Sequence, residues 1–358
     1  MDQIPAAMDR HLDVLQCHAE TGGILLGASN LTGRYWFGSL WYYDKYESIP
    51  DVEKCTAGVQ LEAGITDAKW VDSTKVVVSL DTGGLALWEL IDNYHTFVLR
   101  STAIEHDDTV NSVSVSSDHK NAVSCSSDCR IKTWDLENLS STHCYRGHKD
   151  SVVCVDYHSK EKDLFLSAST DGNIILWDMR KPKPASIVDS RPSESSPTCV
   201  AWQPESNNMA AFGDELGRIV VKDLRMCTES HKTIIPHNRL VHRLAFSPKK
   251  PNLLASISED CRTVIMSIDD NIIKPLYNEI KHTDYVHGIS WYNEDIITCA
   301  WDSNVVRHCI QDQRETNQSN SESIVMEVNS DIPDKQDIIE NTKHTLSNES
   351  KSKTEGKG

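Results

Sequence analysis

The chain has 358 residues and a formal net charge of -17, with 39% hydrophobic and 25% charged residues. This is ordinary for a soluble protein, and no run of eighteen apolar residues supplies a transmembrane helix. The acidic balance argues against direct nucleic-acid binding, which needs a basic face for the phosphates. It permits long-range attraction of Lys/Arg-rich protein tails.

Residues 1–13 lack a basic stretch followed by an apolar one, so no secretory signal is expected there. The eleven cysteines are odd in number and scattered, which reads as reduced thiols of an intracellular protein. Cys125 and Cys129 alone do not make a four-ligand zinc site, so no metal and no cofactor is expected.

The clearest element is 147–178, GHKDSVVCVDYHSKEKDLFLSASTDGNIILWD. It opens on Gly-His and closes on Trp-Asp. Strand-like runs at 152–157, 163–169 and 174–177 are separated by a loop and by a Thr-Asp-Gly-Asn turn. This pattern is that of one WD repeat, one four-stranded blade of a β-propeller.

Weaker copies surround it, each run β-branched or aromatic and bounded by turn residues. In chain order, strands are expected at 23–29 and 36–43, then at 65–71, 75–80 and 85–90, then at 110–116, 121–126 and 130–136. After the reference repeat, whose outer strand is placed at 185–189, they follow at 198–203, 209–213 and 218–224, at 241–247, 253–258 and 263–268, and at 286–291, 295–300 and 304–310.

The closing column holds Trp41, Trp88, Trp134 and Trp177, continued by Lys222, Met266 and His308. Its steps of 47, 46, 43, 45, 44 and 42 residues fit the WD period. Seven columns predict an all-β, seven-bladed WD-repeat β-propeller over 1–310. Closing that ring calls for an outer strand on the last blade, from 4–17 or from beyond 310.

Six places before the column stand the turn residues Asp128, Asp171, Asp260 and Asp302, with Tyr35, Thr82 and Leu216 in the other repeats. A His precedes by about twenty residues in four repeats (His106, His148, His237, His282), and Ser126, Ser169 and Ser258 lie two before the turn Asp. Asp accepts local backbone N–H bonds in a tight turn, and a His–Ser–Trp chain can satisfy the rest. Two complete structural networks are therefore expected: His106, Ser126, Asp128 and Trp134, and His148, Ser169, Asp171 and Trp177. A Ser-His-Asp triad is the competing reading. A catalytic set occurs once, whereas this one recurs at a fixed period without a Gly-x-Ser-x-Gly elbow, so no catalytic residue is assigned.

From 311 to 358 there is no Phe, Trp or Tyr, and polar residues dominate. Such a stretch cannot bury enough apolar surface to order itself, and a disordered polar tail is expected.

Several stretches depart from a generic repeat: TGGILLGASNLTGRYWFGSLWYY (21–43), TAGVQLEAGITDAKWV (56–71), GGLALWEL (83–90), EHDDTVNSVSV (105–115) and RKPKPAS (180–186). Together they resemble the methylosome protein 50 family, the WD-repeat partners of the type II protein arginine methyltransferase. The similarity runs from about residue 8 to 310. It implies a non-catalytic adaptor that binds the N-terminal barrel domain of the methyltransferase in a hetero-oligomer with several copies of each subunit. It further implies that the adaptor raises methyltransferase activity and helps present histone tails and Sm spliceosomal proteins, in cytoplasm and nucleus. An independent histone-binding chaperone, or another interaction scaffold, is the alternative.

The partner-binding candidates lie where the chain departs from the repeat. In register, Trp36 falls where the reference repeat has the turn residue Gly172, flanked by Tyr35 and Phe37. Large aromatics on a tight turn cannot all face into a blade, so they are candidate interface anchors, with Arg34 beside them. Packing on Tyr42, Tyr43 or the N-terminal segment is the alternative. Asp107 and Asp108, on a loop between blades, are candidates to meet a basic partner, against the alternative of solvated loop carboxylates.

Overall fold

Runs of four to nine residues with alternating or fully apolar patterns can bury themselves only by pairing edge to edge and stacking face to face. The computed structural model does this seven times. It describes residues 4, 5, 7–30, 37–191, 194–225, 231–269 and 272–310. The chain divides into two units, 1–310 and 311–358; the stretch expected to be a disordered tail lies outside the described residues.

Blade 1 holds β1 (His11–Cys17), β2 (Ile24–Asn30), β3 (Phe37–Tyr43) and β4 (Ala57–Leu61). Blade 2 holds β5 (Ile65–Trp70), β6 (Lys75–Leu80), β7 (Gly84–Ile91) and β8 (Thr96–Ile104). Blade 3 holds β9 (Val110–Val115), β10 (Asn121–Ser126), β11 (Arg130–Asp135) and β12 (Ser140–Arg146). Blade 4 holds β13 (Val152–Tyr157), β14 (Leu164–Ser169), β15 (Asn173–Asp178) and β16 (Ser186–Ser190). Blade 5 holds β17 (Pro197–Trp202), β18 (Met209–Asp214), β19 (Ile219–Asp223) and β20 (His231–Ile234). Blade 6 holds β21 (Val241–Phe246), β22 (Leu253–Ser258), β23 (Arg262–Ile268) and β24 (Ile273–Ile280). Blade 7 holds β25 (Val286–Tyr292), β26 (Asp295–Ala300) and β27 (Val305–His308).

Strands within each sheet pair antiparallel in sequence order. The first strand of every blade touches the first strands of its two neighbours, and β1 meets both β5 and β25, so seven inner strands close a ring around a channel. The molecule is a seven-bladed β-propeller.

Apolar seams hold adjacent blades together. Between blades 3 and 4, Val123, Cys125, Ile131 and Tyr145 pack with Val155, Phe165, Ile175 and Trp177. Between blades 1 and 7, Leu12, Leu15, Leu26 and Trp41 pack with Ile297 and Cys299. Each fully buried aliphatic or aromatic side chain in such a seam stabilises by roughly 1.5–3 kcal/mol relative to exposure.

One expectation is corrected. Residues 11–17 do not serve blade 7 as an outer strand; they form the innermost strand of blade 1. The burial pattern gives the reason. Leu12, Asp13, Val14 and Leu15 are all buried, whereas an outer strand such as β12 is exposed along nearly its whole length. Among the described residues blade 7 has three strands.

Candidate functional site

The column residues all lie on third strands, and the polar networks form around them. In blade 4, Trp177 Nε1 donates to Ser167 Oγ at 2.8 Å, Ser167 Oγ lies 2.7 Å from His148 Nε2, and His148 Nδ1 lies 3.1 Å from Asp171 Oδ2. Using each hydrogen once makes Ser167 donate to Nε2 and Nδ1–H donate to the carboxylate. Blade 3 repeats this through Trp134, Ser124, His106 and Asp128.

The bridging hydroxyls are therefore Ser124 and Ser167, not the predicted Ser126 and Ser169. The predicted pair sits one step nearer the turn, where Ser126 accepts from the Asp128 N–H and donates to Asp108 O, and Ser169 accepts from the Asp171 N–H and donates to Asp150 O. In blade 7, His308 replaces the indole. Its Nε2 lies 2.8 Å from Thr298 Oγ1, which reaches His282, and its Nδ1 lies 2.7 Å from the Tyr277 hydroxyl.

Burial depresses His106, His148 and His282, with Asp128, Asp171 and Asp302 pulling back in part. Burial works to raise those carboxyls, yet bonds from backbone N–H groups and the histidines hold all three below the ordinary value. Neutral His with ionised Asp is the resting state, and it makes the networks scaffolding.

Of the partner-binding candidates, Arg34, Tyr35 and Trp36 lie outside the described residues. Phe37 opens β3, pairs with Asn30 across the hairpin and is 42% exposed. The flanking register is informative. In blades 2 to 7 the column residue lies opposite a residue twelve positions earlier, as Trp177 does Phe165. In blade 1, Trp41 lies opposite Leu26, fifteen positions earlier. The blade 1 hairpin is thus three residues longer than the other six. The expected placement of Trp36 at the Gly172 position lies outside the described residues. Asp107 is exposed and its carboxylate meets Arg130 Nη1 at 2.7 Å. Asp108 is exposed and caps the loop by accepting from the Thr109 N–H at 2.7 Å.

The channel was not legible in the sequence. Every inner strand carries a register shift against its neighbour. Such a β-bulge sets two residues opposite one and re-aims the extra side chain. The extra residues are Asp13, Thr66, Asn111, Val153, Thr198, His242 and His287, and all seven line one cavity of about 450 Å³ at one mouth. A second cavity of about 400 Å³ lies at the other mouth, lined by Lys69, Lys249 and Asp156 among others. Arg243, Ser112 and Cys154 line both.

Arg243 Nη1 bonds Asp67 Oδ1 at 2.9 Å, and Lys69 lies 3.8 Å from the same oxygen. Burial works to raise the Asp67 carboxyl, but these two cations hold it low. Among the described residues Asp156 has no cation bonded to it, and burial pushes it up to about 6. Among the described residues no three or more His, Cys, Asp or Glu side chains gather as a metal site.

The WD domain, G-beta repeat model matches residues 97–135 and 139–178. Methylosome protein WDR77 of Xenopus laevis is 36% identical over 315 residues, spanning 87% of this chain and 93% of that protein. Protein transport protein Sec31A of Danio rerio is 29% identical over 202 residues, 54% of this chain but 16% of that protein. Protein transport protein SEC31 of Coccidioides immitis is 24% identical over 298 residues, 78% of this chain but 23% of that protein. The two transport proteins share the repeat over a small part of their length, whereas WDR77 is matched along almost all of its own.

Proposed function

Because the chain belongs to the family of the methylosome WD-repeat protein WDR77, we propose that it is a non-catalytic adaptor for a type II protein arginine methyltransferase. In this reading it binds the N-terminal barrel domain of the enzyme, raises its activity and helps present substrates such as histone tails and Sm proteins. It does so in a hetero-oligomer in cytoplasm and nucleus. The observation that carries the docking site is the blade 1 hairpin. The register of its flanking strands leaves three more residues between them than in the other six blades, and the sequence there supplies Arg34, Tyr35, Trp36 and Phe37. Large aromatics concentrated in one short stretch are typical anchors of an interface.

The test is capture of partners by the full chain, wild type or Trp36→Ala, read by mass spectrometry. Wild type is expected to retain the methyltransferase and Trp36→Ala to lose most of it. Truncating an interface tryptophan typically costs about 2–4 kcal/mol, a thirtyfold or greater loss of affinity. No methyltransferase with wild type sinks the adaptor reading; full retention by Trp36→Ala sinks the docking site alone. The net charge of -17 favours one second reading, a histone chaperone acting without methylation, which predicts histone binding with no enzyme captured.

A further inference from the structure

We propose that the channel mouth ringed by the bulged residues is a pocket for the guanidinium group of an arginine in an extended basic peptide. The inference deepens the adaptor reading, which supplies the arginine-rich substrate. It stands on four observations of the channel.

The first is a stack of aromatic rings. The His242 and His287 rings lie 3.9 Å apart between centroids, and His287 stacks on Trp301 at 4.5 Å and 28°. Burial holds both imidazoles neutral, with Arg243 adding to the effect. The stack therefore extends π surface at its outer rings and carries no imidazolium to repel a cation. A planar guanidinium stacks on such a surface, and a compact ammonium does so less well.

The second is a carboxylate poorly matched in charge. Asp13 is 8% exposed, and its partners are the Ser29 hydroxyl, the Trp301 indole N–H at 2.8 Å and the neutral His287 at 3.5 Å. Burial raises its pKa, and the two hydrogen bonds, with the more distant charges of His11 and Arg243, only partly offset this. Asp67, by contrast, is held by Arg243 and Lys69. A buried carboxylate without a full positive charge opposite it is costly, and an entering cation removes that cost.

The third is the rim. Asp81 and Glu215 border the same cavity. Each accepts a backbone N–H, from Gly64 and from Ser196, and neither is in an ion pair among the described residues. The fourth is polarity. Arg243 is common to both cavities, but the opposite mouth adds Lys69 and Lys249 whereas this one adds Asp13, Asp81 and Glu215, so a cation is directed to this end. The cavity of about 450 Å³ is within the usual range for a bound side chain or small ligand.

The experiment measures fluorescence anisotropy of a labelled glycine–arginine repeat peptide with the full chain, alongside the lysine counterpart. The arginine peptide is expected to bind at least about fivefold more tightly than the lysine peptide. Asp13→Asn, which removes the charge but keeps the shape and one acceptor oxygen for the Trp301 N–H, should weaken binding by more than about tenfold, and the rim variant Glu215→Gln by about threefold to fivefold. Lys249→Glu at the other mouth should leave it within about twofold. No binding, equal affinity for the lysine peptide, or full affinity in both carboxylate variants overturns the proposal. The assay contains no enzyme. Failure to capture a methyltransferase therefore sinks the adaptor reading and leaves the peptide result standing, and the reverse also holds.

Discussion

Ser167 and Ser169 lie two positions apart on one strand, both are buried, and they do different things. Ser167 satisfies the Trp177 N–H and the His148 Nε2 at once, so Ser167→Ala leaves two buried polar groups unpaired. A loss of about 2–5 kcal/mol is expected, against about 1–2 kcal/mol for Ser169→Ala; urea denaturation distinguishes the two. Ser124→Ala should behave like Ser167→Ala. His, Asp and Trp were legible because turn chemistry and the repeat period pin them. The serine was not, because a period of two puts both on one face, and only the level of the ring decides between them.

The same groups set the pH dependence. His106, His148 and His282 have folded pKa values below the ordinary 6.5. The unfolded chain then binds more protons, so their contribution is present at neutral pH and is lost as pH falls below 6.5. Asp128, Asp171, Asp260 and Asp302 lie below the ordinary 3.8 and add a further loss in that more acidic range. Asp156, raised to about 6, acts in the opposite sense between 3.8 and 6. The urea midpoint is expected to fall from pH 7.5 towards pH 6, with a shallower slope in His148→Gln. A flat profile would contradict this assignment of charge states.

At the scale of elements, strand positions were legible to within a residue or two at most boundaries, because apolar runs and Gly, Asn and Asp turns mark them. The role of 11–17 was not, since its inner position is set by packing against blade 7, hundreds of residues away, which leaves no local trace. Nor were the bulges, which insert one residue without changing composition.

The seam between β1 and β25 is a sensitive place to test the ring. Gly288 sits there, and a Cβ would lie 2.4 Å from Cys299 Sγ and 2.9 Å from the Leu15 backbone N. Gly288→Ala is expected to cost about 1–3 kcal/mol or more by overpacking, seen as a lower Tm in thermal unfolding. Gly22, with φ of 71° and nothing near its Cβ position, should instead respond through backbone strain alone, at about 1 kcal/mol.

For the whole molecule, charge is the readable property and its distribution is not. A net charge of -17 announces attraction to basic partners, but the acidic and basic ends of the channel emerge only when seven strands are brought into register. Association with a basic peptide should slow by about tenfold or more between 50 and 500 mM salt, because screening shortens the reach of the field. Stopped-flow measurement checks it, and a salt-independent rate would remove electrostatic steering from the account.

The contiguity of each sheet bears on how the chain is made. Among the described residues every sheet is one uninterrupted stretch of sequence, so strands can pair in turn as synthesis proceeds from the N-terminus, with contacts that are mostly local. Strand β1 is different. Its Cys17 N–H bonds Ser290, 273 residues later, and its apolar side chains pack on Ile297 and Cys299. At ribosomal rates that interval is about 15–55 s. For that time the nascent first blade presents an uncovered apolar flank, and it is there that a chaperone would be needed most.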